Sequence, residues 1–179
     1  TLLRLQSHHR SAVVELGMNH VGEIAELANL AAPTVALVNN AQREHQEFLH
    51  SVQAVAAENG AVIAALPPNG IAVFPAEDSY AEVWRQLAVH KQVLCFGRTK
   101  ASDIHLVNGE WTNQQWQLSV QTPKGRINTS LSVAGDHNVH NALAAIAVAV
   151  ELGVPDSAVQ TALSQFKGVG RRFQRHGEV

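Results

Sequence analysis

The chain has 179 residues, 46% hydrophobic and 16% charged, which is enough apolar material for a packed core and excludes a disordered segment. Thirteen Lys and Arg against fifteen Asp and Glu leave a net charge of -2, so no basic face for nucleic acid is expected. Cys95 is the single cysteine, which rules out an internal disulfide and fits a reducing compartment.

In chain order, Ala12-Val13-Val14-Glu15-Leu16 predicts a buried strand, and Val21 to Ala31 a helix with Ile24, Leu27 and Ala28 on one face. Pro33 stops that helix, and Thr34 to Val38, rich in β-branched residues, predicts a second strand. Phe48, Val52, Val55, Ala56, Val62, Ile63 and Leu66 recur at helical spacing and predict a helix from Glu47 to Leu66, with Gly60 weakening it locally. Pro67-Pro68-Asn69-Gly70 is a turn; Ile71 to Phe74 predicts a strand, Ser79 to Val89 a helix and Gln92 to Phe96 a strand. Alternating strands and helices imply crossovers, hence an α/β fold with a mainly parallel sheet and helices on both faces. Ligands in such sheets bind beyond the carboxyl ends of strands, which directs attention to the residues after Leu16 and Val38.

The pattern changes after Gly97. Trp116, Leu118 and Val120 alternate with polar residues, as do Ile127, Thr129, Leu131 and Val133, so 103–134 predicts a small antiparallel sheet with one wet face. Asn141 to Leu152 predicts a helix burying Leu143, Ile146, Ala147 and Val150 and ending at Gly153. Pro155 starts another, with Val159, Ala162, Leu163 and Phe166 expected inside. No run is long and apolar enough to span a bilayer, and no secretory signal opens the chain at Thr1, which reads as a segment of a longer protein.

Four groups of residues could carry chemistry. Glu15 is a carboxylate within an apolar run; a helix cap, a basic partner or a metal ion would each satisfy it. Asn39-Asn40-Ala41-Gln42-Arg43-Glu44-His45 follows a strand and offers amides, a carboxylate and an imidazole, suiting either a ligand loop with His45 on a metal or a polar loop with a cap. Gly135-Asp136-His137-Asn138-Val139-His140-Asn141 opens an Ala-rich helix, where exposed amides and short polar side chains favour an anion or a hydrogen-bonding ring over simple capping. Gly168-Val169-Gly170-Arg171-Arg172-Phe173 suits a phosphate, while in isolation a solvated basic linker is the commoner case. The chain contains no Gly-x-x-x-x-Gly-Lys-Ser/Thr phosphate loop, no Gly-x-Ser-x-Gly elbow and no Gly-x-Gly-x-x-Gly turn, which argues against a dinucleotide-dependent oxidoreductase.

Glu15-Leu16-Gly17-Met18-Asn19-His20-Val21-Gly22-Glu23-Ile24, then Asn39-Asn40 with His45 and Phe48, then Gly135 to Ala145 resemble the Mur ligases over nearly the whole chain. The first segment resembles the D-alanyl-D-alanine-adding branch, while Phe166 to Glu178 resembles the L-alanine-adding branch. The resemblance implies the central ATP-binding domain over 1–179, with the family's N-terminal and C-terminal domains outside it. It implies a cytoplasmic, monomeric, ATP- and magnesium-dependent ligase of peptidoglycan precursor synthesis, with no membrane or nucleic-acid partner. Such an enzyme joins an amino acid or D-alanyl-D-alanine to a UDP-N-acetylmuramoyl substrate through an acyl phosphate.

The resemblance also implies individual roles. Glu15 and His45 match metal-binding catalytic positions, Asn141 the adenine contact and Arg172 a further ATP contact, with His137 and Asn138 in the same nucleotide-binding motif. The family's carbamoylated lysine, which helps hold a second magnesium, matches Asn59; asparagine forms no carbamate, and Glu58 beside it is one candidate for the missing charge. Other readings are a folylpolyglutamate synthase relative and a ligase-like module that binds nucleotide without catalysis.

Overall fold

The computed structural model describes residues 2–42 and 51–169. The described elements are a short 3-10 turn at Leu2–Arg4, then α1 (Glu23–Ala31), β1 (Val35–Leu37), α2 (Val52–Ala64), β2 (Ile71–Pro75), α3 (Ala81–Leu87), β3 (Gln92–Gly97), β4 (Ile104–Thr112), β5 (Gln115–Thr122), β6 (Gly125–Leu131), α4 (Asp136–Glu151) and α5 (Asp156–Gln165). The strands form one mixed sheet in the order β1-β2-β3-β4-β5-β6. None of the described helices is long and apolar enough to cross a membrane. The chain divides into two compact units, residues 1–72 with 78–93 and residues 73–77 with 94–179.

In the first unit α2 is the central helix. Ser51 caps it by accepting a hydrogen bond from the Ala54 N–H at 3.1 Å, and Val55, Ala56, Gly60 and Ile63 are buried along it. α1 packs on one side and α3 on another, and β1 also lies against it. The Trp84 ring of α3, fully buried, donates from Nε1 to the Ala56 carbonyl at 2.9 Å. Gly60 is required by this contact: a Cβ there would stand 2.6 Å from Leu87 Cδ1 and 2.9 Å from Trp84 Cδ1. The glycine that weakened the helix in sequence is thus where α3 closes on α2. Lys91 donates from Nζ to the Leu66 carbonyl at 3.0 Å, satisfying a carbonyl just beyond the end of α2.

The expected strand at Ala12–Leu16 is not formed. These residues take no regular secondary structure and join no ladder among the described residues. Burial still alternates along the segment: Val14 and Leu16 are half-buried and Met18 is buried, while Glu15 and Gly17 are exposed and Val13 is 94% exposed. Leu16 and Met18 pack against Ile24 and Val55, and this anchoring replaces ladder pairing. A run of apolar residues reads as an interior strand only where neighbours bond to both of its edges.

In the second unit β4, β5 and β6 form the expected antiparallel meander, with Trp116 opposite both Trp111 and, on the other side, Leu131. Asn113 and Gln114, both with positive φ (50° and 62°), make the two-residue turn between Thr112 and Gln115. The meander continues from β3 through a parallel pairing, Phe96 with Ile104 and Gly97 with His105. Only these strand ends pair, so a six-residue loop suffices where a full parallel crossover needs a dozen residues or more. Asp103 closes that loop by accepting from the Cys95 N–H at 2.7 Å, and Ser102 N–H donates to the Thr99 carbonyl at 3.1 Å.

α4 packs on β4 and β5 and buries Leu143, Ile146, Ala147 and Val150, as its periodicity predicts, and Val139 besides. It starts at Asp136, five residues before the expected Asn141, so the polar motif forms the first turns of the helix and not a preceding loop. α5 lies against β6 and α4 but buries only Val159; Leu163 is half-buried, and Ala162 and Phe166, expected inside, are exposed. A ten-residue helix resting on an outer strand has one narrow covered line, so a wider apolar stripe stays partly wet.

Candidate functional site

In the first unit the candidate residues lie on two segments that α2 holds. Glu15 sits in the irregular segment described above and is exposed, which removes the burial argument for a compensating partner. Downstream, Glu23 folds back over its own helix start: one carboxylate oxygen accepts from the Asn19 N–H at 2.5 Å and the His20 N–H at 3.1 Å, and the other lies 3.1 Å from His20 Nδ1. The Asn19 and His20 amides, helped by the His20 ring, hold the Glu23 carboxyl down to about 2 from its ordinary 4.5.

Glu58 is the buried carboxylate of this unit, 7% exposed, and its partners are backbone amides. Gly22 N–H donates to both its oxygens at 2.9 and 3.0 Å, and Ile24 N–H donates to Oε1 at 2.9 Å. It caps α1 from 36 residues away. Gly22, with φ of 96°, takes the left-handed conformation that brings these amides to one oxygen pair, and α1 receives no side-chain bond from its own N-cap residue. Asn59, the next residue, donates from Nδ2 to the Asn40 carbonyl at 3.2 Å. The same loop is held by Asp78, whose Oδ2 accepts from the Ala41 N–H at 3.3 Å and whose Oδ1 accepts from the Tyr80 N–H at 2.8 Å. His45 lies outside the described residues.

In the second unit the polar motif occupies the first two turns of α4. Gly135 has φ of 96°, a conformation that favours glycine, and a Cβ there would sit 2.5 Å from His137 Cε1. Asn138 spends its amide locally, donating from Nδ2 to the Ala134 carbonyl at 2.7 Å. His140 packs on Phe96 with ring centroids 5.0 Å apart. His137 and Asn141, four residues apart on one helical face, are both exposed. Beside this helix start, Arg98 pairs with Asp136. Glu77 accepts from the Arg98 N–H at 2.9 Å and the Thr99 N–H at 2.6 Å. Burial pushes the Glu77 carboxyl up, but the bonds from Thr99 and Arg98 outweigh it and leave it below its ordinary value. Gly97 makes room for this: a Cβ there would stand 2.6 Å from Ser102 Oγ and 2.9 Å from Glu77 Oε1. Arg172 lies outside the described residues.

Sequence reasoning did not single out Glu77, Asp78 and Arg98, which hold these loops and pair at the start of α4. The rule that ligands gather beyond strand ends could have found them, since Glu77-Asp78 follow β2 and Arg98 follows β3.

Among the described residues no three His, Cys, Asp or Glu side chains form a group able to hold a metal ion. Glu23 and Glu58 are committed to backbone amides, and the Asn59 amide faces a carbonyl. Glu15 is exposed, and magnesium commonly takes one or two carboxylates with phosphate oxygens and water.

The sequence matches the Mur ligase middle domain over residues 1–149. It is 38% identical over 175 residues to the UDP-N-acetylmuramoyl-tripeptide–D-alanyl-D-alanine ligase of Escherichia coli strain K12, covering 97% of this chain and 39% of that protein. To the UDP-N-acetylmuramate–L-alanine ligase of Dechloromonas aromatica strain RCB it is 37% identical over 153 residues, covering 83% of this chain and 33% of that one. The fold superposes on crystal structure I of MurF from Acinetobacter baumannii with a TM-score of 0.89 and 31% identity, covering 94% of this chain and 37% of that chain. The chain thus spans under two fifths of the length of these relatives. It belongs to the Mur ligase family and carries the middle domain.

Proposed function

We propose that the protein carrying this chain is an ATP-dependent ligase of peptidoglycan precursor synthesis that joins D-alanyl-D-alanine to a UDP-N-acetylmuramoyl-tripeptide. The observation that carries the reading is the start of α4, where His137 and Asn141 form an exposed polar strip over the first turns in a chain of this family. A helix start of this kind suits a flat heteroaromatic base or an anion. Asn141 is assigned to the adenine, His137 beside it to the same ring, and Asn138 to holding the turn through Ala134. Arg172 is assigned to ATP by family position alone.

In the reaction a substrate carboxylate attacks the γ-phosphate of ATP, releasing ADP and giving an acyl phosphate, and the amine of the incoming dipeptide then displaces phosphate to form the amide. Carboxylate and triphosphate are both anionic, and magnesium supplies the charge neutralisation their approach needs. Glu15 is the residue assigned to hold it near the phosphates, and His45 is assigned to a second magnesium by family position. The proposed setting is the cytoplasm, where Cys95 stays reduced.

The test uses the full-length protein. Phosphate release from ATP is expected only with both UDP-N-acetylmuramoyl-tripeptide and D-alanyl-D-alanine present, and Asn141→Ala is expected to raise the KM for ATP with little change in kcat. An unchanged KM would leave α4 a structural helix. A second reading, addition of L-alanine to UDP-N-acetylmuramate, is favoured by the 37% identity to the Dechloromonas enzyme, and activity with that pair alone would establish it.

A further inference from the structure

We infer that Glu58 and Asn59 act together as a positioning brace that fixes two loops of the first unit from one turn of α2. Neighbouring residues on a helix point about 100° apart, so a single turn can serve two segments. Glu58 takes the segment after Glu15: its two oxygens collect the Gly22 and Ile24 amides at 2.9–3.0 Å. Asn59 takes the loop after β1, with its amide on the Asn40 carbonyl at 3.2 Å. The orientation of that amide is dictated by its partner, because a carbonyl accepts only from the NH2 end.

Each contact has a second support. Glu23 closes the Asn19 and His20 amides over the same helix start that Glu58 caps, and Asp78 holds the Ala41 amide in the loop that Asn59 holds. The brace has two consequences. Glu58 is used up by backbone donors and does not stand in for a carbamoylated lysine. Asn59 brings a donor to the loop, where a ligand for a cation would bring an acceptor. Both residues are positioning residues. For the ligase reaction, on which this half of the inference rests, they set the segments that follow Glu15 and β1.

Amide hydrogen exchange on the 179-residue chain tests the brace without any activity. Glu58→Gln keeps the shape but removes the charge and brings an NH2 group against the Gly22 N–H in place of Oε2, and exchange at Gly22 and Ile24 is expected to rise severalfold while Ala41 is unchanged. Asn59→Ala is expected to speed exchange at Ala41 severalfold while Gly22 and Ile24 are unchanged. Ser51→Ala, which uncaps the same helix without touching either loop, is the control and should reproduce neither pattern. Uniform acceleration, or none, would overturn the brace; Asn59 is half-buried, so its variant decides the matter even where Glu58→Gln does not fold.

In the full-length ligase, each variant is expected to raise the magnesium concentration for half-maximal rate at least fivefold. An unchanged metal requirement alongside localised fast exchange would overturn the functional role. Absence of ligase activity in the unaltered protein would instead overturn the proposed function, with the exchange pattern still deciding the brace.

Discussion

Glu23 shows how a single exposed side chain acquires a pH dependence. Its carboxyl is held at about 2 by the Asn19 and His20 amides, against 4.5 in the unfolded chain. A carboxyl lowered on folding contributes stability above its unfolded value, and the contribution disappears as the pH falls through its folded value. Glu23→Gln should therefore lower the urea midpoint at pH 7, and the gap to the unaltered chain should close between about pH 4.5 and pH 2. The gap will be modest, because solvent screens exposed partners. Midpoints measured across that range check it; a gap that stays constant down to pH 2 would show that the charge has no fixed partner. Glu15 and Glu58 mark what is readable at this scale. The sequence singled out Glu15 because it interrupts an apolar run, and that carboxylate is exposed. Glu58 entered only as a candidate for the charge of a missing carbamate, yet it is the buried one, because its partners lie 34 and 36 residues away and no local pattern encodes them.

Helix periodicity located α1, α2, α3 and α4 because an amphipathic stripe is a local property of the chain. What it left out is which helix meets which. Gly60 is the case in point: in sequence it is a weak spot of α2, in the fold it is the contact surface for α3. Replacing it with alanine raises helix propensity by about 1 kcal/mol. It also drives a methyl to 2.6 Å from Leu87 Cδ1 and 2.9 Å from Trp84 Cδ1. Leu87 can turn aside, but the Trp84 ring is fully buried and tied to the Ala56 carbonyl. Overpacking of a filled site costs about 1–3 kcal/mol, so the steric term should win and Gly60→Ala should destabilise the chain by about 1 kcal/mol net. Equilibrium denaturation measures this; an increase in stability would mean that α3 moves away at no cost. The strand at Ala12–Leu16 failed for the complementary reason: periodicity gives the alternation of burial, but whether an alternating segment joins a ladder depends on neighbours that lie elsewhere.

At the scale of the whole chain, the proposed nucleotide site predicts a pattern of affinities. The exposed polar strip of α4, His137 with Asn141, is formed within this chain. A phosphate loop with the Gly-x-x-x-x-Gly-Lys-Ser/Thr pattern is not part of its sequence. Such a loop wraps a triphosphate in backbone amides and a lysine, and without it the phosphates gain little beyond weak, screened attraction. Base recognition alone should then set the affinity of the isolated 179-residue chain. Adenosine and ATP with magnesium are expected to bind it weakly, with dissociation constants within a few-fold of each other. A tenfold difference corresponds to about 1.4 kcal/mol, so even one well-formed phosphate contact would be visible in the ratio. Asn141→Ala should weaken both ligands equally. Titration calorimetry or ligand-observed magnetic resonance on the chain and its variant gives the ratio directly. Binding of ATP more than thirtyfold tighter than adenosine would show that this chain holds the phosphates by other residues, with Arg98 at the start of α4 the first to replace.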